Sequence, residues 1–170
     1  MIILGLGSNL SSSFGNRFKN IDLAIENLCK QNIKLVKKSS FYETPSYPNK
    51  NNPKFINVVI QVLSNLKPEE LASLIMETEK KIERKRLKKN DPRTCDIDIL
   101  DFNSKNMNFK YLNYKFTVPH IKLTLRNFVL FPLQEILPNW IHPKTNMHIN
   151  VLLDNLSYEE KNSILKVKNF

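Results

Sequence analysis

Apolar residues recur along the chain with two different periods, and each change of period marks an element. Ile2 to Gly7 is a short apolar run, the pattern of a central strand. From Arg17 to Lys30, Phe18, Ile21, Ile25 and Leu28 fall three or four residues apart, with Ala24 beside them. Lys19, Asp22 and Glu26 fill the opposite side, so the segment predicts an amphipathic helix. Ile33 to Tyr42 reads as a strand with imperfect alternation. Phe55 to Leu63 alternates cleanly. Ile56, Val58, Ile60 and Val62 form one wholly apolar side, and Phe55, Asn57, Val59 and Gln61 form the other. A second helix opens at Lys67-Pro68-Glu69-Glu70, with proline in its first turn and acids at its positive end. Leu71, Leu74, Ile75 and Ile82 make its buried stripe, with Glu79 and Glu83 on a flank. After a further strand ending near Phe102, Phe109 to Thr117 reads as a β-hairpin. Leu125 to Leu137 is an apolar helix with Arg126 at its start, and Pro132 is expected to kink or shorten it. Val151 to Phe170 predicts a short element followed by a polar helix or tail.

Strand, helix, strand, strand, helix, strand is the split β-α-β order of a ferredoxin-like α+β sandwich, here with C-terminal additions. Residues 1–170 read as a single domain, with residues 150–170 as a C-terminal extension. Two loops stand out. Glu43 to Pro53 holds three prolines and three asparagines and is longer than most connections. Arg84 to Asp91 is strongly basic. Both are expected to close over bound substrates. The opening Gly5-Leu6-Gly7-Ser8-Asn9-Leu10 fails as a dinucleotide fingerprint, because Leu10 stands at the third glycine position, and it reads as a tight strand-to-helix turn.

The 170 residues are 41% hydrophobic, enough for a core and too apolar for a disordered chain. Net charge is +10, which admits nucleic acid, an anionic membrane or an anionic small substrate as partner. Cys29 and Cys95 fit no zinc or redox spacing and read as reduced, partly buried thiols of a cytoplasmic protein. No stretch approaches the length of a membrane span.

The chemistry concentrates in Asp91-Pro92-Arg93-Thr94-Cys95-Asp96-Ile97-Asp98-Ile99-Leu100. On a strand, Asp96 and Asp98 point to one side while Cys95, Ile97 and Ile99 point to the other. Their Cα atoms lie roughly 6.5–7 Å apart from the strand rise. Two such carboxylates suit a divalent ion, and Arg93 offers a fork suited to phosphate. Alone, a D-x-D is more often the solvated face of an edge strand than a metal site. The run of basic residues from Lys80 to Arg93 favours Mg²⁺ and a polyphosphate.

Several ordered segments resemble one family. Pro92-Arg93-Thr94-x-Asp96-x-Asp98-Ile99 is the most specific. Thr117-Val118-Pro119-His120, Ser39-Ser40-Phe41-Tyr42-x-Thr44-Pro45, Arg126-x-Phe128 and the opening Leu4 to Leu10 accompany it. Over residues 1–138 the chain is similar to the 6-hydroxymethyl-7,8-dihydropterin pyrophosphokinases of folate synthesis, which move pyrophosphate from ATP to the pterin hydroxymethyl group and release AMP. The resemblance implies that Asp96 and Asp98 hold two Mg²⁺ ions. It makes Arg84, Arg93, Asp96 and Asp98 catalytic. Glu79, Arg84, Arg93, Ile99, Lys115, Thr117, His120 and Arg126 would bind ATP. Thr44, Pro45, Tyr47, Phe55, Asn57, Asp96 and Phe128 would bind the pterin, with Phe55 and Phe128 sandwiching its ring. It further implies a monomer that takes small-molecule substrates and engages neither nucleic acid nor membrane.

The chain departs from the family pattern in places. Lys88-Lys89-Asn90 stands where an Arg-Trp pair is common, Lys115 where an arginine is common, Ile121 where a tyrosine is, and Met76 where a glutamine is. Asn106 to Tyr114 is longer than usual. These predict altered substrate affinity with the reaction retained. An RNA-binding module shares the element order and the charge, but the aromatic RNP1 pattern is missing. A membrane-surface protein would need a basic amphipathic helix that the chain lacks.

Overall fold

The computed structural model of the chain describes residues 1–85 and 91–168. Strand β1 (Ile2–Ser8) leads to helix α1 (Arg17–Cys29), then to strands β2 (Lys34–Lys38), β3 (Phe41–Thr44) and β4 (Phe55–Leu63). Helix α2 (Pro68–Lys81) and strand β5 (Asp96–Phe102) complete the ferredoxin-like unit. Every neighbouring pair is antiparallel. β1 lies between β5 and β4, and β2 and β3 both pair with the other edge of β4. With β2 and β3 taken as one interrupted strand, this is the expected split β-α-β order. The additions are a hairpin of β6 (Met107–Tyr111) and β7 (Tyr114–Val118), helices α3 (Asn127–Ile136), α4 (Ile149–Asp154) and α5 (Tyr158–Asn162), and strand β8 (Leu165–Val167), which pairs with β3.

Alternation decides the two faces of the sheet. Ile2, Leu4, Leu6, Ile56, Val58, Ile60, Val62, Ile97 and Ile99 turn to one side and pack with Ile21, Ala24 and Leu28 of α1 and Leu71, Leu74 and Ile75 of α2. Ile56, Val58, Ile60 and Val62 are at most 1% exposed, and each such side chain contributes about 1.5–3 kcal/mol of burial. On the other side Ile3, Val59 and Leu100 meet Leu123, Val129, Leu130, Leu133, Trp140, Ile149 and Leu152. This second cover reaches only part of the sheet. Further along the same face come Gly5, Gly7, Phe55, Asn57, Asp96 and Asp98, where polar groups replace the apolar ones.

Several local expectations are corrected. Ile33 to Tyr42 is two strands, because buried Ser39 spends its backbone N–H on Val59 O (3.0 Å) and its hydroxyl accepts from Val59 N (3.0 Å), which interrupts the run. The turn after β1 is not tight. Residues 9–16 form a longer connection before Asn16 caps α1 by accepting from Lys19 N. Pro132 sits inside α3, which runs on to Ile136. The segment after Val151 forms two short helices and a strand. Cys29 is exposed, whereas Cys95 is buried; both are free thiols. Among the described residues no helix is long and apolar enough to cross a membrane.

Candidate active site

The site begins with register. Gly7 of β1 pairs with Asp96 of β5 on one side and with Asn57 of β4 on the other, and Asn57 pairs with Tyr42 of β3. Asp96, Gly7 and Asn57 therefore lie on one line across the sheet, spaced by the strand separation of about 4.8 Å. One step along, Gly5 pairs with Asp98. The glycine between the acid and the amide leaves a flat floor. A Cβ on Gly7 would stand 3.3 Å from Asn57 Oδ1 and 3.6 Å from the Phe55 ring. Asn57 Nδ2 donates to Thr44 Oγ1 (3.0 Å) and Tyr42 O (3.4 Å), so its carbonyl oxygen turns toward that floor.

Three arginines converge on the two aspartates. Arg84, just past α2, donates to both Glu79 and Asp96. Arg93 Nη2 lies 2.8 Å from the other Asp96 oxygen. Arg126, the residue before α3, donates to Asp98 Oδ2 at 2.9 Å. Glu79, 1% exposed in the last turn of α2, also accepts from Ile97 N (2.9 Å) and so ties α2 to β5. Burial opposes the charge on Arg84, but Asp96 and Glu79 outweigh it and hold the guanidinium above its ordinary pKa. Each of the other two arginines also faces an aromatic ring: Arg93 lies 5.0 Å from the Phe55 centroid and Arg126 lies 5.4 Å from that of Phe128.

Beside the aspartates is a pocket of about 260 Å³. Asp96, Asp98, Ile99, Lys115, Thr117 and His120 line it, as do Met76 and Ile121 at the positions where the chain departs from the family. Burial lowers the His120 pKa, partly offset by Asp98, and its Nδ1 accepts from Lys122 N (3.1 Å). Thr117 Oγ1 donates to Asn108 across the hairpin (2.9 Å). Ser73 and the Tyr111 hydroxyl (2.6 Å) fasten that hairpin to α2. Burial, reinforced by Glu79 and Asp96, pushes the Cys95 thiol pKa far up, so it stays protonated on the core side of β5.

The structure thus brings together Asp96, Asp98, Arg84, Arg93, Arg126, Glu79 and the pocket residues. Phe55, Asn57 and Thr44 are grouped on the adjoining floor. Pro45 is exposed and Tyr47 is 83% exposed, on the loop beyond them. Lys88-Lys89-Asn90 and the rest of residues 86–90 lie outside the described residues, so the expected closure of the basic loop does too. Sequence reasoning missed Asn9 as a positioning group. Only 2% exposed, it accepts from Arg93 N (2.7 Å) and donates to Pro53 O (3.1 Å), joining Arg93 to the proline-rich loop. An asparagine close behind the apolar run of β1 was the available signal.

The donor set can be tested against a cation. Among the described residues, Glu79, Asp96 and Asp98 pair with Arg84, Arg93 and Arg126, so a triphosphate entering here meets arginines already engaged by carboxylates. Among the described residues no group of three or more metal-ligating side chains occurs. Two carboxylates with room for phosphate oxygens is the set that Mg²⁺ uses, since it keeps few protein ligands. Arg93 Nε is buried with no hydrogen-bond partner among the described residues.

An open ferredoxin-like sheet with paired carboxylates, converging arginines and a polar pocket on one face defines the class. Residues 3–138 match the model of the family described as 7,8-dihydro-6-hydroxymethylpterin-pyrophosphokinase (HPPK). The chain is 39% identical over 142 residues to the 2-amino-4-hydroxy-6-hydroxymethyldihydropteridine pyrophosphokinase of Aquifex aeolicus, covering 84% of this chain and 83% of the relative. It is 31% identical over 153 residues to the protein of the same name from Synechocystis, covering 89% and 74%. A Plasmodium falciparum HPPK-DHPS double mutant crystallised with pterin and p-hydroxybenzoate shares the fold, with a TM-score of 0.74 at 15% identity. That match covers 99% of this chain and 47% of the longer bifunctional one. The chain belongs to the HPPK family.

Proposed function

We infer that the chain transfers pyrophosphate from ATP to 6-hydroxymethyl-7,8-dihydropterin, giving the pterin diphosphate and AMP. The observation that carries this reading is the single line Asp96–Gly7–Asn57 across the sheet. It sets a phosphate-handling cluster beside a flat floor edged by an aromatic ring and an amide acceptor. In the reaction the hydroxymethyl oxygen loses its proton and forms a bond to the β-phosphorus, the bond from that phosphorus to the α,β-bridging oxygen breaks as AMP leaves, and one proton is released overall.

Asp96 and Asp98 would hold two Mg²⁺ ions, which when bound supply the positive charge that the triphosphate requires. The remaining work belongs to the chain. Arg84, Arg93 and Arg126 exchange carboxylate oxygens for phosphate oxygens, and His120 and Lys115 add donors at the pocket wall. Ile99, Thr117 and the apolar side chains around Met76 and Ile121 seat the nucleoside, with Glu79 holding Arg84 and the start of β5 in place. Phe55 and Phe128 stack on the pterin, and Asn57 Oδ1 accepts from its N–H edge. Thr44 fixes the orientation of that amide, and Pro45 and Tyr47 border the ring. Catalysis then rests on positioning and charge more than on covalent chemistry. We further infer that the chain acts as a monomer in the cytoplasm.

A coupled assay for AMP release tests the reaction. AMP should form only when both ATP and the dihydropterin are present, and Asp96→Asn and Asp98→Asn should each abolish it. AMP release independent of the pterin, or full activity in both variants, would overturn the assignment.

A further inference from the structure

We propose that Asn127 is a positioning residue, and that the C-terminal segment Ser157–Ser163 sets the geometry of the substrate site through it. This deepens the pterin reading and rests on it. Asn127 is the first residue of α3, between Arg126, which grips Asp98, and Phe128, the ring expected to cover the pterin. It is 9% exposed and fully engaged. Its Nδ2 donates to Glu160 O (2.6 Å) and to Ser163 Oγ (2.9 Å), while its Oδ1 accepts from Phe128 N (2.7 Å).

The acceptor side is itself built. Ser157 and Glu160 form a reciprocal capping box at the start of α5, with bonds of 2.9 and 3.2 Å. Ser163 Oγ closes on the same Glu160 carbonyl (3.1 Å). Residues 157–163 are therefore a preformed cradle for one amide. They lie beyond residue 138, where the family match ends. Apart from this cradle, the side-chain bonds that hold α3 include Gln134–Asn150 (2.7 Å) and those to Glu135, which accepts from Ser40, Tyr42 and Lys166. Those bonds sit toward its far end, seven or eight residues from Asn127. Among the described residues, the polar tethers at the end that carries Arg126 and Phe128 are the Arg126–Asp98 ion pair (2.9 Å) and the Asn127 amide. Without that amide the first turn of α3 keeps the Arg126–Asp98 pair and the buried Val129 and Leu130 but loses its hold on the C-terminal cradle. A shift of about 1 Å in a substrate-positioning group is enough to weaken binding and turnover strongly.

Steady-state kinetics with the full chain test the proposal. Asn127→Ala removes both donor bonds and should raise the KM for the dihydropterin about five- to tenfold, the loss expected from hydrogen bonds of this kind. Ser163→Ala leaves Glu160 O as acceptor and should raise it about two- to threefold in the same direction. Thermal melting is followed alongside, because a merely structural tether would lower the melting temperature and leave KM alone. Unchanged pterin KM in both folded variants overturns the proposal; if Asn127→Ala does not fold, Ser163→Ala decides alone. A parent chain with no pterin-dependent AMP release would overturn the reaction itself, which is a separate result.

Discussion

Replacing Arg84 by alanine is the sharpest perturbation of the site's framework. Glu79 is 2% exposed at its side chain and Arg84 10%, so their contact is a buried ion pair. Removing one partner of such a pair leaves the other charge in a poorly solvated place and costs about 3–5 kcal/mol. The lower end applies here, because Glu79 keeps the bond from Ile97 N. About 3 kcal/mol corresponds to a fall in Tm of about 6–12 °C for a chain of this length. Glu79→Gln keeps an acceptor for Ile97 N and leaves Arg84 paired with Asp96, so it should cost only about 1 kcal/mol. The double variant Arg84→Ala/Glu79→Gln replaces the buried carboxylate at residue 79 with a neutral amide. It should be more stable than Arg84→Ala alone, with a coupling energy of about 2 kcal/mol. Urea unfolding of all four proteins followed by circular dichroism at neutral pH gives the cycle directly. The reasoning is refuted if Arg84→Ala lies within about 1 kcal/mol of the parent, or if the two single changes simply add.

Other consequences follow from the same geometry. Gly7→Ala places a methyl 3.3 Å from Asn57 Oδ1 and 3.6 Å from Phe55, so it should raise the KM for the pterin about tenfold while leaving that for ATP within about twofold; equal changes in both would argue against a flat floor. His142 is 4% exposed, and its Nδ1 accepts from Lys144 N and Thr145 N (both 3.2 Å). Burial lowers its pKa below the ordinary 6.5, so the unfolded chain takes up the proton first as pH falls. The stability it contributes is present above pH 6.5 and is lost as pH drops through that value toward the folded pKa. His142→Gln should flatten the decline in urea midpoint between about pH 7 and pH 5, and an unaltered slope would contradict this. A thiol reagent should modify Cys29 promptly and Cys95 only on unfolding; two fast equivalents would show that β5 is not held as described.

The pairing of Asp96 with Asp98, and of Phe55 with Asn57, on common strand faces was legible because alternation is a local property of an extended chain. What alternation cannot give is register between distant strands. Nothing near Gly7 in sequence says that it will stand between Asp96 and Asn57, so the line that joins the two halves of the site emerged only from the β1–β4 and β1–β5 pairings. Glu79 illustrates the same limit. Its spacing placed it on the flank of α2, but its hold on Arg84 and Ile97 N depends on how α2 crosses β5. The imperfect alternation of residues 33–42 was a real signal, and Ser39 is its cause. Strand β8 is three residues of mixed character, and it forms because β3 offers an open edge rather than because Leu165–Val167 specify a strand. Asn127 carried no local signal either, since the acceptors of its Nδ2 lie more than thirty residues away.

The central claim is that Asp96 and Asp98 grip a metal–triphosphate complex in place of their resting arginines. It is tested most directly by a crystal grown with Mn²⁺ and an unreactive ATP analogue, with anomalous diffraction locating the ions. The account predicts anomalous peaks within coordination distance of both carboxylates, with Arg84, Arg93 and Arg126 turned to phosphate oxygens. Ions bound only to the nucleotide, with both aspartates still paired to their arginines, would contradict it.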